Sequence, residues 1–167
     1  MAVSRAYLGL DLGTSAIKAL VVEESGRVLG SGSAEYPILH PHPGRAEQDP
    51  DDWWRATVTA TRQAMAGASA PAIAAIGISG QMHGTALLDA EQRPLGPAII
   101  WMDQRSGREV DELTELIGRE PLIRTAGSPL ATGFQAATLR WLQRHEPGRW
   151  GQVRRILLPK DELRRRL

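Results

Sequence analysis

Three apolar segments follow one another at the start of this chain with almost nothing between them. Ala6 to Leu12, Ala16 to Val22 and Arg27 to Tyr36 are each of strand length, and Glu24-Ser25-Gly26 is a turn signal before the third. A parallel crossover needs about a dozen residues or more, so segments this close can pair only as an antiparallel meander. That constraint fixes the opening of the fold before any chemistry is considered.

The remaining elements follow from punctuation and period. Pro37, Pro41, Pro43 and Gly44 make residues 37–48 irregular. Asp49-Pro50-Asp51-Asp52 predicts a helix start: Asp49 suits the N-cap, Pro50 the first helical position, and the acids the positive end of the helix dipole. The helix should run to Ala66 and end in Gly67-Ala68-Ser69-Ala70-Pro71. Ile73 to Ile78 reads as a fourth, fully buried strand, and Thr85 to Leu88 and Ala98 to Trp101 as two more. Ser106 to Ile117 predicts an amphipathic helix with Val110, Leu113, Leu116 and Ile117 on one face and Gly118 as its stop. Thr138 to His145 predicts another, closed by Glu146-Pro147-Gly148. Ile156 to Leu158 is a last short strand, and a helix begins at Lys160. There is no internal repeat and no interdomain linker, and the order opens β-β-β-α-β.

Composition narrows the function classes. A chain of 167 residues is long enough for one domain with a core. Its 20 basic and 19 acidic side chains leave a net charge of +1, so nothing favours nucleic acid or an anionic membrane as partner. Arg164-Arg165-Arg166 reads as a solvated helix face. The absence of cysteine excludes disulfide and thiol chemistry and fits a cytoplasmic setting. Met1 to Ala6 carries no signal-peptide core, and no apolar stretch approaches the ~20 residues that span a bilayer.

Two stretches carry chemistry. The first is Asp11-Leu12-Gly13-Thr14-Ser15, between two predicted strands, with Lys18 just beyond. Gly13 permits a tight turn and close approach of a ligand, backbone N–H groups of Gly13 to Ser15 can form an anion nest, and the Thr14 and Ser15 hydroxyls add donors. Asp11 repels phosphate directly, so it makes sense beside a Mg²⁺ held through water. Lys18 either offers charge there or turns to solvent. A plain hairpin with a capping Asp explains the same residues. Neither the Gly-x-x-x-x-Gly-Lys nor the Gly-x-Gly-x-x-Gly signature is present.

The second stretch is Gly80-Gln81-Met82-His83-Gly84, a constrained turn at a strand end, where α/β folds place ligand groups. Gln81 and His83 can donate and accept, and Met82 offers adaptable apolar contact, which together suit a sugar. In Trp101-Met102-Asp103-Gln104-Arg105, Trp101 can pack on a sugar and Asp103 can accept from its hydroxyls; a core Trp and a helix-capping Asp fit equally well.

The chain resembles the N-terminal part of the FGGY carbohydrate kinases, and within them the members acting on D-xylulose. The resemblance rests on Tyr7-Leu8-Gly9-Leu10-Asp11-Leu12-Gly13-Thr14-Ser15, Glu47-Gln48-Asp49-Pro50 with Trp53-Trp54, Gly80 to Gly84, Trp101 with Asp103 and Arg105, Trp141 to Pro147, and Leu157 to Asp161. Glycerol kinases read Gln-Arg-Glu where this chain has Gln81-Met82-His83. The resemblance implies an α/β, ribonuclease-H-like lobe of the actin/hexokinase/Hsp70 superfamily. Residues 1–167 would be the first part of its N-terminal domain, with the remainder and a C-terminal domain beyond them.

It also implies transfer of a phosphoryl group from ATP with Mg²⁺ to the 5-hydroxyl of D-xylulose. Asp11 would sit at the metal and phosphate site, Gly13, Thr14, Ser15 and Lys18 at the cofactor, and Gln81, Met82, His83, Trp101 and Asp103 at the sugar. The expected partner is D-xylulose, with no nucleic acid or membrane, and a homodimeric parent enzyme. Met102 departs from the polar residue the family pattern leads one to expect. No acidic residue here matches the family's catalytic base, so the chain alone is expected to be inactive. Its unfinished sheet should expose apolar surface. The rival readings are a kinase for another ketose such as ribulose, a non-catalytic sugar-binding relic, and an actin-like ATPase.

Overall fold

The opening meander forms as the short connections require. A computed structural model describes residues 5–68 and 71–167. Its strands are β1 (Ala6–Leu12), β2 (Ala16–Glu23), β3 (Val28–Glu35), β4 (Glu47–Gln48), β5 (Ile73–Gly80), β6 (Ala86–Leu88), β7 (Ala98–Ile99) and β8 (Arg155–Leu157). Its helices are α1 (Pro50–Gly67), α2 (Gly107–Ile117), α3 (Arg119–Ala126), α4 (Gln135–His145), α5 (Pro147–Gln152) and α6 (Pro159–Arg166). They belong to two compact units. One takes the chain up to Pro37, Pro50–Gln81 and Pro159–Leu167; the other takes Ile38–Asp49 and Met82–Leu158.

The first unit is an α/β layer. Its sheet runs β3-β2-β1-β5, antiparallel through the meander and parallel between β1 and β5. The two-residue period places Leu8, Leu10 and Leu12 opposite Val21, Ala19 and Ile17, and all six are buried on one face. Each large side chain so buried contributes about 1.5–3 kcal/mol. Helix α1 covers that face, with Trp53, Ala56, Ala60 and Ala64 buried on its inner side. The approach is close because β3 offers glycine: a Cβ on Gly32 would lie 2.1 Å from the Ala60 carbonyl oxygen. The opposite face leaves Tyr7, Asp11, Lys18 and Leu20 exposed.

The fourth strand departs from expectation. The apolar run was read as fully buried, yet β5 is the outer strand of this sheet and Ile76 is 47% exposed. An unbroken apolar run reports that both faces can be covered, not that they are. The terminal arginine run is likewise no bare solvated face. Arg165 and Arg166 both donate to the buried Glu162 carboxylate, and Arg166 Nη1 reaches Asp51 Oδ1 at 2.7 Å. This pins α6 to the start of α1 within the unit.

The second unit carries helices α2 to α5 and two short strand pairs, β4 with β7 and β6 with β8, both antiparallel. Leu87, Ile99, Trp141 and Leu142 form its core. The guanidinium carbons of Arg45 and Arg105 lie 5.2 and 5.0 Å from the Trp141 ring centroid, within cation–π range. Helix α2 ends at Gly118 as predicted, but its apolar stripe is covered only in part: Val110 and Leu113 are half-buried, Leu116 is 78% exposed, and the buried residue of the helix is Glu109. Glu109 accepts from Arg144 Nη1 at 3.1 Å on α4. Helices α3 and α5 were not anticipated, and α4 starts three residues before the predicted Thr138. Ser69 and Ala70, in the turn expected to end α1, lie outside the described residues, as do Met1 to Ser4.

Candidate functional site

In the first unit, the hairpin between β1 and β2 carries the residues expected from the sequence to meet phosphate. Gly13 N–H donates to the carbonyls of Asp11 (3.1 Å) and Ala16 (3.0 Å), and a Cβ there would lie 2.9 Å from Ala16 oxygen. The turn therefore needs glycine for space. Its Gly13 N–H is engaged internally, Thr14 is half-buried and Ser15 is exposed. Asp11 is exposed, and strand register puts it beside Lys18 on β2 and Ser79 on β5. Lys18 thus shares a sheet face with Asp11 and is exposed. A depression of about 420 Å³ lies on this face, with Asp11, Lys18, Leu20 and Ser79 in its lining. Gly9 and Gly77 pair directly across β1 and β5, so bare backbone forms part of its floor.

Sequence reasoning missed the clamp on this hairpin. Tyr36 is 7% exposed; its Oη donates to the Gly13 carbonyl at 2.6 Å and its N–H to Ser15 oxygen at 3.1 Å. Burial, and then the nearby Asp11 charge, push the Tyr36 phenol well above its ordinary pKa. The available signal was register: Ala16 pairs with Glu35, so the residue after β3 must fall beside the turn.

The second unit holds, from Met82 onward, the residues expected from the sequence to meet a sugar, while Gln81 is the last residue of the preceding segment of the first. Gln81 is buried, and its N–H donates to Leu12 oxygen at 2.7 Å. Gly84 N–H donates to Met82 oxygen at 2.8 Å, closing a three-residue turn around His83 at φ 60°. That positive-φ γ-turn is rare and strained for a residue with a side chain. Met82 is 70% exposed. Thr85 and Ile99 exchange backbone hydrogen bonds of 2.7 and 3.1 Å, which ties this turn to the one carrying Trp101. Trp101 is 47% exposed and Met102 39%.

Asp103 has a different setting. It is 1% exposed. Oδ2 accepts from Ala46 N–H (2.7 Å) and Arg105 Nη2 (2.8 Å), and Oδ1 from Arg105 N–H (2.9 Å) and Nε (2.8 Å). Its acceptor capacity is filled by protein donors. Arg105 also bonds Glu47, so β4 and the Trp101 loop are joined by one buried ion-pair network. Burial opposes the Arg105 charge, but the hydrogen bonds to Asp103 and Glu47 outweigh it and raise its pKa. Among the described residues, no three His, Cys, Asp or Glu cluster as a metal cage. No helix among them is long and apolar enough to cross a membrane.

Residues 6–167 match the family described as "FGGY family of carbohydrate kinases, N-terminal domain". The chain belongs to the FGGY family of carbohydrate kinases. It is 44% identical over 162 residues to the xylulose kinase of Escherichia coli (strain K12), covering 96% of this chain and 33% of that protein. Solved structures of sugar kinases share the fold. A "xyloylose kinase" from Brucella ovis superposes with TM-score 0.90 at 45% identity, over 97% of this chain and 33% of that one. The xylulose kinase from Rhodospirillum rubrum gives 0.91 at 30% identity, over 96% and 33%. The chain therefore spans about a third of the length of the relatives it matches. The α/β, ribonuclease-H-like lobe expected from the sequence is the observed fold class.

Proposed function

We propose that this chain forms part of an ATP-dependent kinase that phosphorylates D-xylulose, and that it supplies one wall of the active site. The observation that carries the reading is the strained turn holding His83 beside exposed Met82, tied through Thr85 and Ile99 to exposed Trp101. That arrangement offers a hydrogen-bonding ring and apolar surface together, which suits a polyol with a C–H face. The similarity to xylulose kinases supports the choice of sugar. Asp103 then braces the wall rather than contacting the sugar, and Gln81 anchors the entry to the turn. A ribulose kinase remains the runner-up.

Asp11, Thr14, Ser15 and Lys18 form the phosphate side of this reading. ATP with Mg²⁺ supplies the transferable phosphoryl group. Asp11 as a lone exposed carboxylate fits contact with the metal through its water shell. The attacking hydroxyl needs a base, which this reading places outside the chain. Calorimetric titration with D-xylulose, D-ribulose and glycerol tests the sugar assignment. D-xylulose should bind best, and His83→Ala should weaken it about tenfold or more. Equal affinity for glycerol would refute the assignment. An ADP-release assay on the 167-residue chain should show only background, and turnover would refute the missing base.

A further inference from the structure

We propose that Phe134 is a positioning residue for His83, acting with its neighbours Gly133 and Gln135 as one buttress behind the sugar-reading turn. The ligand part of this proposal rests on the sugar assignment above; the buttress itself does not. Phe134, the chain's single phenylalanine, stacks on the His83 ring with centroids 3.8 Å apart and planes 13° from parallel. Gln135 Nε2 donates to the Gly84 carbonyl at 3.2 Å, on the residue that closes the γ-turn. Gly133 has φ 75°, and a Cβ there would lie 2.2 Å from the Trp101 carbonyl oxygen. Three consecutive residues thus press on His83, Gly84 and the backbone of Trp101.

The turn needs such a buttress. A histidine at φ 60° stands in a conformation that persists only when its surroundings impose it. Phe134 and Gln135 impose it from behind, through the ring and through the backbone. The stack also decides how a ligand can meet the ring. One imidazole face is covered by Phe134, so hydroxyl groups are met by the ring edge, where the nitrogens lie.

Proton NMR of the 167-residue chain tests this, with D-xylulose as the probe. The His83 ring protons should lie upfield in the unsubstituted chain, lose that shift in Phe134→Leu and keep it in Phe134→Tyr. D-xylulose affinity should fall about tenfold in Phe134→Leu and stay within about twofold in Phe134→Tyr. Should Phe134→Leu fail to fold, Gln135→Ala provides the second variant, with a loss of about threefold. Unchanged His83 shifts in Phe134→Leu would overturn the proposal, as would lost shifts with unchanged sugar affinity or, where Phe134→Leu does not fold, unchanged affinity in Gln135→Ala. An unsubstituted chain with the upfield signature but no D-xylulose binding would overturn the sugar assignment instead, and the ligand role with it.

Discussion

His83 combines two things that rarely coincide, a side chain proposed to read a ligand and a backbone angle that suits glycine. Holding a residue with a Cβ there costs on the order of 1–2 kcal/mol. Comparing His83→Ala with His83→Gly isolates that cost, because both remove the ring and its stack. The glycine variant should be the more stable by about 1 kcal/mol in urea denaturation, and equal stability would show the turn to be relaxed. Tyr36 gives a second prediction at this scale. Its pKa in the folded chain is raised above the ordinary 10.0, so the fold favours the neutral phenol. The resulting stabilisation is complete below the unfolded value and is lost as pH rises beyond it. Tyr36→Phe should flatten the alkaline limb of the stability–pH curve. An unchanged limb would assign that loss to other groups.

Among elements, the β4–β7 region and the Trp101 loop depend on Arg105. Its side chain is 3% exposed and that of Asp103 1%, so removing the guanidinium strands a buried carboxylate. Arg105→Ala should destabilise the chain by about 3–5 kcal/mol, and Arg105→Lys should recover little, since an ammonium cannot make the forked contact. Full recovery by lysine would show that charge alone suffices. This network also marks the limit of what the sequence could show. The meander and α1 were legible because short turns and Asp49-Pro50 act locally. Asp103 was legible as a polar residue at a strand end, but its partner Ala46 and the Arg105 partner Glu47 lie more than fifty positions away, and so does Phe134 from His83. Pairings of that range are settled by packing, not by spacing. Periodicity found the stripe on α2 but cannot say which stripes are covered. Helix α3 carries Pro121 in its first turn, where N–H groups have no helical partner anyway.

For the molecule as a whole, charge gives little protection against association: 20 basic and 19 acidic side chains nearly cancel. The outer strand β5 presents Ile76, and the open sheet face presents Tyr7 and Leu20. The 167-residue chain should therefore self-associate with rising concentration, and Ile76→Lys should shift sedimentation toward the monomer. A monodisperse unsubstituted chain would count against this. The division into two units has a different consequence. The backbone passes from one to the other after Pro37, Asp49, Gln81 and Leu158. A single protease nick can release neither intact, and serial truncation from either terminus must damage one unit before it has finished removing the other. Separating them calls for excision of Ile38–Asp49 and Met82–Leu158 with new short joints, an operation closer to splicing than to trimming.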